Sequence, residues 1–114
     1  MYKKLGLALP VQRLKRKTTD ELMWPYVLRL LHERPMYAYE IRQKIQEKFG
    51  WKPPLVTSYT VLYRLKRKKY VTIKWHQQRG KPARKYYKIT AKGRKLMRQA
   101  KEYFDNLYEK LFEQ

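Results

Sequence analysis

Between Thr57 and Thr90 the apolar residues change their period twice, and few folds accommodate that in so short a span. Val61, Leu62 and Leu65 share one helical face. Val71, Ile73 and Trp75 then alternate with Thr72, Lys74 and His76, as in a strand with one wet face. Residues 77–83 hold Gly80 and Pro82 and read as a hairpin loop. Lys85 to Ile89 returns as a second strand, with Tyr86 and Tyr87 on opposite faces. No Asp or Glu interrupts this stretch; none occurs between Glu47 and Glu102, an interval with 18 Lys and Arg. Charge of one sign repels itself, so a segment that folds in spite of it points to an oppositely charged partner. A polyphosphate backbone fits.

The whole chain shares this bias, with 29 basic residues against 9 acidic and a formal charge of +20, far beyond what solubility requires. Yet 15% of its residues are aromatic and 43% hydrophobic, unlike a disordered basic tail. Its 114 residues suffice for one domain with a modest core. The lack of cysteine excludes disulfides, cysteine zinc sites and thiol catalysis. No apolar run approaches the ~18 residues of a membrane span. The apolar patch LGLALPV is followed by basic residues rather than a cleavage site. The expectation is a soluble, unprocessed cytoplasmic protein associated with the nucleoid, with no membrane partner. His32 and His76 are the only histidines, and nothing pairs them with carboxylates or with each other. With no Gly-rich phosphate loop and no Ser-His-Asp set, the chain reads as a non-enzyme with no metal and no cofactor.

Around the central stretch the chain divides into residues 1–18, 19–90 and 91–114. The first carries six Lys or Arg and no acid, with Gly6 and Pro10 breaking regular structure, and reads as a flexible basic extension. The alternative is a basic arm on DNA. Thr18 with Glu21 predicts a capping-box helix start, and Leu22, Met23, Tyr26, Val27, Leu30 and Leu31 follow at helical spacing. Pro25 lies inside that pattern, so the helix is either kinked there or begins there; Pro35 ends it. Residues 39–49 predict a second helix with Ile41, Ile45 and Phe49 inward and Gly50 as its stop. After Pro53 and Pro54 the third helix is expected to open at Thr57 or Ser58. Thr90 caps a last helix to about Phe112, where Met97, Ala100, Phe104, Leu107 and Leu111 step by three and four as in a coiled-coil seam. So small a domain cannot cover that stripe along its whole length; a second copy can.

The fold class expected is α+β, mostly α: a winged helix-turn-helix of three helices and a two-stranded wing, followed by a long C-terminal helix. At the level of residues the chain resembles the PadR family of transcriptional regulators. Gly80-Lys81-Pro82-Ala83-Arg84-Lys85-Tyr86-Tyr87-Lys88-Ile89-Thr90-Ala91-Lys92-Gly93 looks like that family's wing signature. Thr57-x-Tyr59 looks like the start of its recognition helix, and Tyr37-Ala38-Tyr39-Glu40-Ile41 is similar to its second-helix opening. The resemblance implies the family's compact branch, a homodimer on the C-terminal helix, and two recognition helices in successive major grooves of a palindromic operator. Departures include Lys69 in place of a small residue, Val56 in place of a Gly, and Lys66-Arg67-Lys68-Lys69 where acids are frequent. These add cationic surface and raise affinity that is blind to sequence.

The candidates for reading double-stranded DNA are Thr57, Ser58, Tyr59, Thr60, Tyr63, Arg64, Arg67 and Lys68 in the recognition helix. Lys74, His76, Arg79, Lys81, Arg84 and Lys85 are the wing candidates for phosphate or minor groove. Lys3, Lys4, Arg13, Lys15, Arg16 and Lys17 could add phosphate contacts from the arm, and Met97, Ala100, Phe104, Leu107 and Leu111 form the expected dimer interface. Trp24, Trp51 and Trp75 read as core or as cover for the sheet; a small-molecule effector is possible but not indicated. The leading function is a dimeric DNA-binding transcriptional regulator. The alternatives are a DNA-coating or partition-type protein and, on charge and aromatics alone, an RNA binder.

Overall fold

Residues 6–113 are described in the computed structural model. Five helices and three short strands follow in the order α1 (Leu9–Lys17), α2 (Trp24–Glu33), β1 (Met36–Tyr37), α3 (Ala38–Phe49), α4 (Leu55–Arg67), β2 (Val71–His76), β3 (Arg84–Ile89) and α5 (Ala91–Phe112). Helices α2 to α4 with the β2–β3 hairpin make the winged helix that the pattern implies.

Helix α2 is its centre. Val27, Leu28, Leu30 and Leu31 are buried along it, so it packs on α3, α4, α5 and β3 together. Burial of each such side chain contributes about 1.5–3 kcal/mol. The helix begins at Trp24, not at the capping-box pattern of Thr18 and Glu21. Pro25 occupies its first turn, where the missing amide costs nothing and the fixed φ is already helical. The Thr18 and Thr19 hydroxyls instead donate to the carbonyls of Leu14 and Lys15, closing the end of α1. Arg34 turns extended ahead of Pro35 and ends α2.

In α3, Ile41 and Ile45 are buried as expected, and Gly50 takes the left-handed conformation that ends the helix. Phe49 is not inward. It lies exposed at the helix end, edge-on to Tyr26, which also meets Trp51 edge-on. Across α2 and α3, Lys48 donates to Glu33 at 2.9 Å and holds that carboxyl below its ordinary range.

The wing is the larger part of a three-stranded antiparallel sheet in the order β1-β3-β2. Two-residue β1, absent from the sequence reading, pairs Met36 with Tyr87 and Tyr37 with Tyr86. The hairpin register pairs Val71 with Ile89, Ile73 with Tyr87 and Trp75 with Lys85 on the core side. Burial fades along that face: Val71 is buried, Ile73 half-buried, and Trp75 is 65% exposed. The core ends before the hairpin tip, so Trp75 is neither core nor cover.

Over residues 9–17 of the basic extension, where Pro10 is expected to break regular structure, α1 forms with Pro10 in its first turn. None of its residues is buried. At the other end, Thr90 caps α5 by accepting the Gly93 amide. From Lys101 to Glu113 every residue of that helix and its cap is exposed, Phe104, Leu107 and Leu111 included, while Met97 and Ala100 are half-buried. No helix among the described residues is long and apolar enough to cross a membrane.

Candidate nucleic-acid interface

Helix α4 is set by the two prolines before it. Pro53 is fully buried and its carbonyl accepts from Arg42 Nε at 3.1 Å; Pro54, extended, serves as the N-cap. The helix therefore opens at Leu55, two residues ahead of the expected Thr57. Ser58 then falls in phase with Leu62 and Leu65. It is fully buried and donates its hydroxyl to the Pro54 carbonyl at 2.8 Å, so it is removed from the DNA-reading set. Thr57 is half-buried, and the Thr60 hydroxyl donates to the Val56 carbonyl at 3.0 Å.

The remaining candidates of α4 divide over two flanks. Thr57, Thr60, Arg64 and Lys68 line a groove of about 530 Å3 whose other walls include Trp24, Tyr70 and Leu96. Asp20 and Glu21 stand in the same groove, and Glu21 is paired with Lys17 at 2.9 Å. On the other flank Tyr59 turns to the wing. Tyr63 and Arg67 are exposed and lie outside that groove. The sequence groups these side chains on one helix; the fold spreads them over about half its circumference.

The wing candidates also fall on two faces. Lys74, His76 and Arg84 share the face of Tyr86, whose ring meets the His76 and Tyr37 rings edge-on. The Arg84 guanidinium lies 4.4 Å from the Tyr37 ring centre, a cation–π contact that holds it in place. Lys85 is half-buried on the opposite face, between Trp75 and Tyr87, with its ammonium 5.7 Å from the Tyr87 ring centre. Burial, and after it the nearby Tyr59, raise the Tyr87 hydroxyl above the usual phenol range. Arg79 and Lys81 stand exposed at the tip, where the Lys81 amide donates to Gln78 O at 3.0 Å.

Of the arm candidates, Arg13, Lys15, Arg16 and Lys17 lie on α1, while Lys3 and Lys4 are outside the described residues. The sequence reading missed Tyr37, Tyr39 and Trp75 as surface residues of this region. Together with Tyr59, Tyr87, Ala38, Ala83, Arg84 and Lys85 they line an open groove of about 470 Å3 between α4 and the wing. Their one signal was aromatic identity at the exposed ends of elements.

The sequence matches the model of the transcriptional regulator PadR-like family over residues 27–99. Among solved structures, a PadR-like transcription factor from Bacteroides fragilis has a TM-score of 0.74 and 29% identity, over 87% of this chain and 95% of that one. A transcriptional regulator from Clostridium thermocellum has a TM-score of 0.69 and 27% identity, over 76% of this chain and 86% of that one. Bacillus subtilis PadR, solved in complex with operator DNA, shares the fold at a TM-score of 0.63 and 22% identity, over 68% of this chain and 45% of that one. A search of curated proteins finds no match.

Proposed function

The chain belongs to the PadR-like family of transcriptional regulators, and on that premise we propose that it is a homodimeric regulator that binds double-stranded DNA. The observation that carries this is the surface of α4 and the wing. Tyr59, Thr60, Tyr63, Arg64 and Arg67 stand exposed on the helix, Arg79, Lys81 and Arg84 on the hairpin, and no acid occurs between Glu47 and Glu102. The operator complex of the Bacillus subtilis neighbour supports the same reading.

In this reading α4 enters the major groove, where Arg67 or Arg64 can meet guanine bidentately and Thr and Tyr can meet thymine methyls or phosphates. The wing positions the protein on phosphate. Residues 91–114 join two copies through the stripe of Met97, Ala100, Phe104, Leu107 and Leu111. The operator is then palindromic, with half-sites about one turn, ~10 bp, apart.

Helix α1 favours a second reading, a coating protein that spreads along duplex. It carries Lys15, Arg16 and Lys17 in its last turn and extends the cationic surface beyond the winged helix. Selection from random duplex DNA at near-physiological salt separates the two. A palindromic motif is the expected result. Tight binding with no motif, and protection that lengthens with protein concentration, replaces the regulator by the coating protein.

A further inference from the structure

Four aromatic side chains near the duplex-facing surface have no cover. Tyr39, Tyr59, Tyr63 and Trp75 are 62, 53, 62 and 65% exposed. Exposed aromatics on this scale mark a surface that expects a partner. Tyr39, Tyr59 and Trp75 come together with Tyr37 and Tyr87 in the groove between α4 and the wing, and among the described residues the charged ones lining it are Lys85, on the Trp75 face, and Arg84, on the face of Tyr86. Both cations are already arranged, Arg84 over the Tyr37 ring and Lys85 toward Tyr87.

A duplex can offer its phosphates to such a groove but not its base faces, which are hidden in the stack. A single strand offers both. Aromatic faces beside cations that track a backbone are the arrangement by which unpaired nucleic acid is held. We propose that this groove is a binding site for single-stranded nucleic acid, with an unstacked base against Trp75 and Tyr59 and the adjoining phosphate on Lys85, the cation on the Trp75 face of the wing. Tyr87, 4% exposed, forms part of the floor and is paired with Ile73 across the two strands that carry Trp75 and Lys85. This site depends neither on dimer formation nor on an operator.

The test uses the full chain and three labelled 12-mers, one of thymidylate, one of uridylate and one abasic DNA strand of equal charge, titrated by anisotropy at about 0.2 M salt, where phosphate contacts alone are weakened. The thymidylate strand is expected to bind about 5- to 150-fold more tightly than the abasic strand, the range that one stacked base supplies. Trp75→Ala should remove most of that gap and leave duplex affinity within about threefold. Tighter binding of the uridylate strand than of the thymidylate strand assigns the site to RNA, and the reverse assigns it to DNA. Equal affinity for thymidylate and abasic strands overturns the proposal. So does an equal loss of duplex and single-strand affinity in Trp75→Ala, which makes the groove part of the duplex surface. Trp75 is largely in water, so the variant folds, and its unfolding midpoint checks this. A failure of duplex binding with the strand preference intact counts against the regulator and not against this site.

Discussion

The Thr90 hydroxyl donates to the Lys69 carbonyl at 2.7 Å and accepts the Gly93 amide at 3.1 Å, so one side chain ties the turn after α4 to the end of the wing and the start of α5. Lys69 holds its side of this junction at φ 67, the only positive φ of a non-glycine residue among those described. A left-handed conformation costs an L-residue roughly 1–2 kcal/mol, and glycine is spared most of that. Lys69→Gly is therefore expected to stabilise the protein by about 1 kcal/mol. The measurement is urea unfolding, read as a higher midpoint at unchanged slope. A lower midpoint would show that the lysine side chain offsets its own backbone strain.

Gly93 sits on the other side of the same junction. A Cβ there would lie 2.3 Å from the Tyr70 carbonyl oxygen and 2.8 Å from Ile89 Cγ1. The Tyr70 carbonyl cannot retreat, because it accepts the Thr90 amide at 3.1 Å. In an open helix Gly→Ala gains about 1 kcal/mol. Here Gly93→Ala is expected to lose about 2–3 kcal/mol, since the tightest overlap is with backbone that cannot move aside. Thermal unfolding should show a fall of roughly 4–8 °C for each kcal/mol; an unchanged midpoint would mean that α5 and the wing are not in this close contact.

The elements legible in the sequence were those whose period runs long enough to be counted. Helices α2, α3 and α5 and the β2–β3 hairpin announced themselves through apolar spacing, Gly50, Pro82 and the Thr90 cap. Their exact starts were decided by proline. Thr18 offered a capping pattern, but Pro25, with φ already fixed, set the first turn of α2, and Pro54 took the cap that Thr57 or Ser58 was expected to supply. Two-residue β1 is too short to have a period. For the candidate site, residue type was readable and exposure was not. Ser58 is in helical phase with Leu62 and Leu65, a signal that outweighs its place in a DNA-binding pattern. Trp75 continues the inward face of β2 beyond the reach of the core, and alternation alone does not say where a core stops.

The apolar stripe of α5 gives a third prediction. Phe104 and Leu111 are 43 and 63% exposed in the single chain, so replacing them creates no cavity there. If two copies pair along this stripe, Phe104→Lys places an ammonium from each copy in the seam. An unpaired buried charge costs about 3–5 kcal/mol, roughly a 150-fold or greater rise in the dimer dissociation constant. Sedimentation should then report a monomer at concentrations where the parent is a dimer, with the helical signal of the winged helix retained. Equal dimerisation by Phe104→Lys would remove α5 from the interface.

Arg67 and Lys81 separate reading from positioning. Arg67 stands exposed at the end of α4 and Lys81 at the tip of the wing, the elements proposed to enter the major groove and to hold phosphate. Arg67→Ala should weaken binding to a selected site by about 1–3 kcal/mol and relax preference at one base position. Lys81→Ala should weaken every duplex alike and make the slope of log affinity against log salt shallower by about 1. The background for both is steep, because about 6–10 phosphate contacts imply a loss of roughly 10³–10⁵ in affinity between about 50 and 200 mM salt. Both substitutions must therefore be compared at one salt concentration, on the selected site and on an unrelated duplex. If Arg67→Ala lowers both affinities by the same factor, Arg67 contributes charge alone. Discrimination then has to come from Arg64, Tyr63 or the shape of the DNA. If Lys81→Ala shifts the preferred sequence, the wing tip is reading the minor groove and not merely holding the backbone.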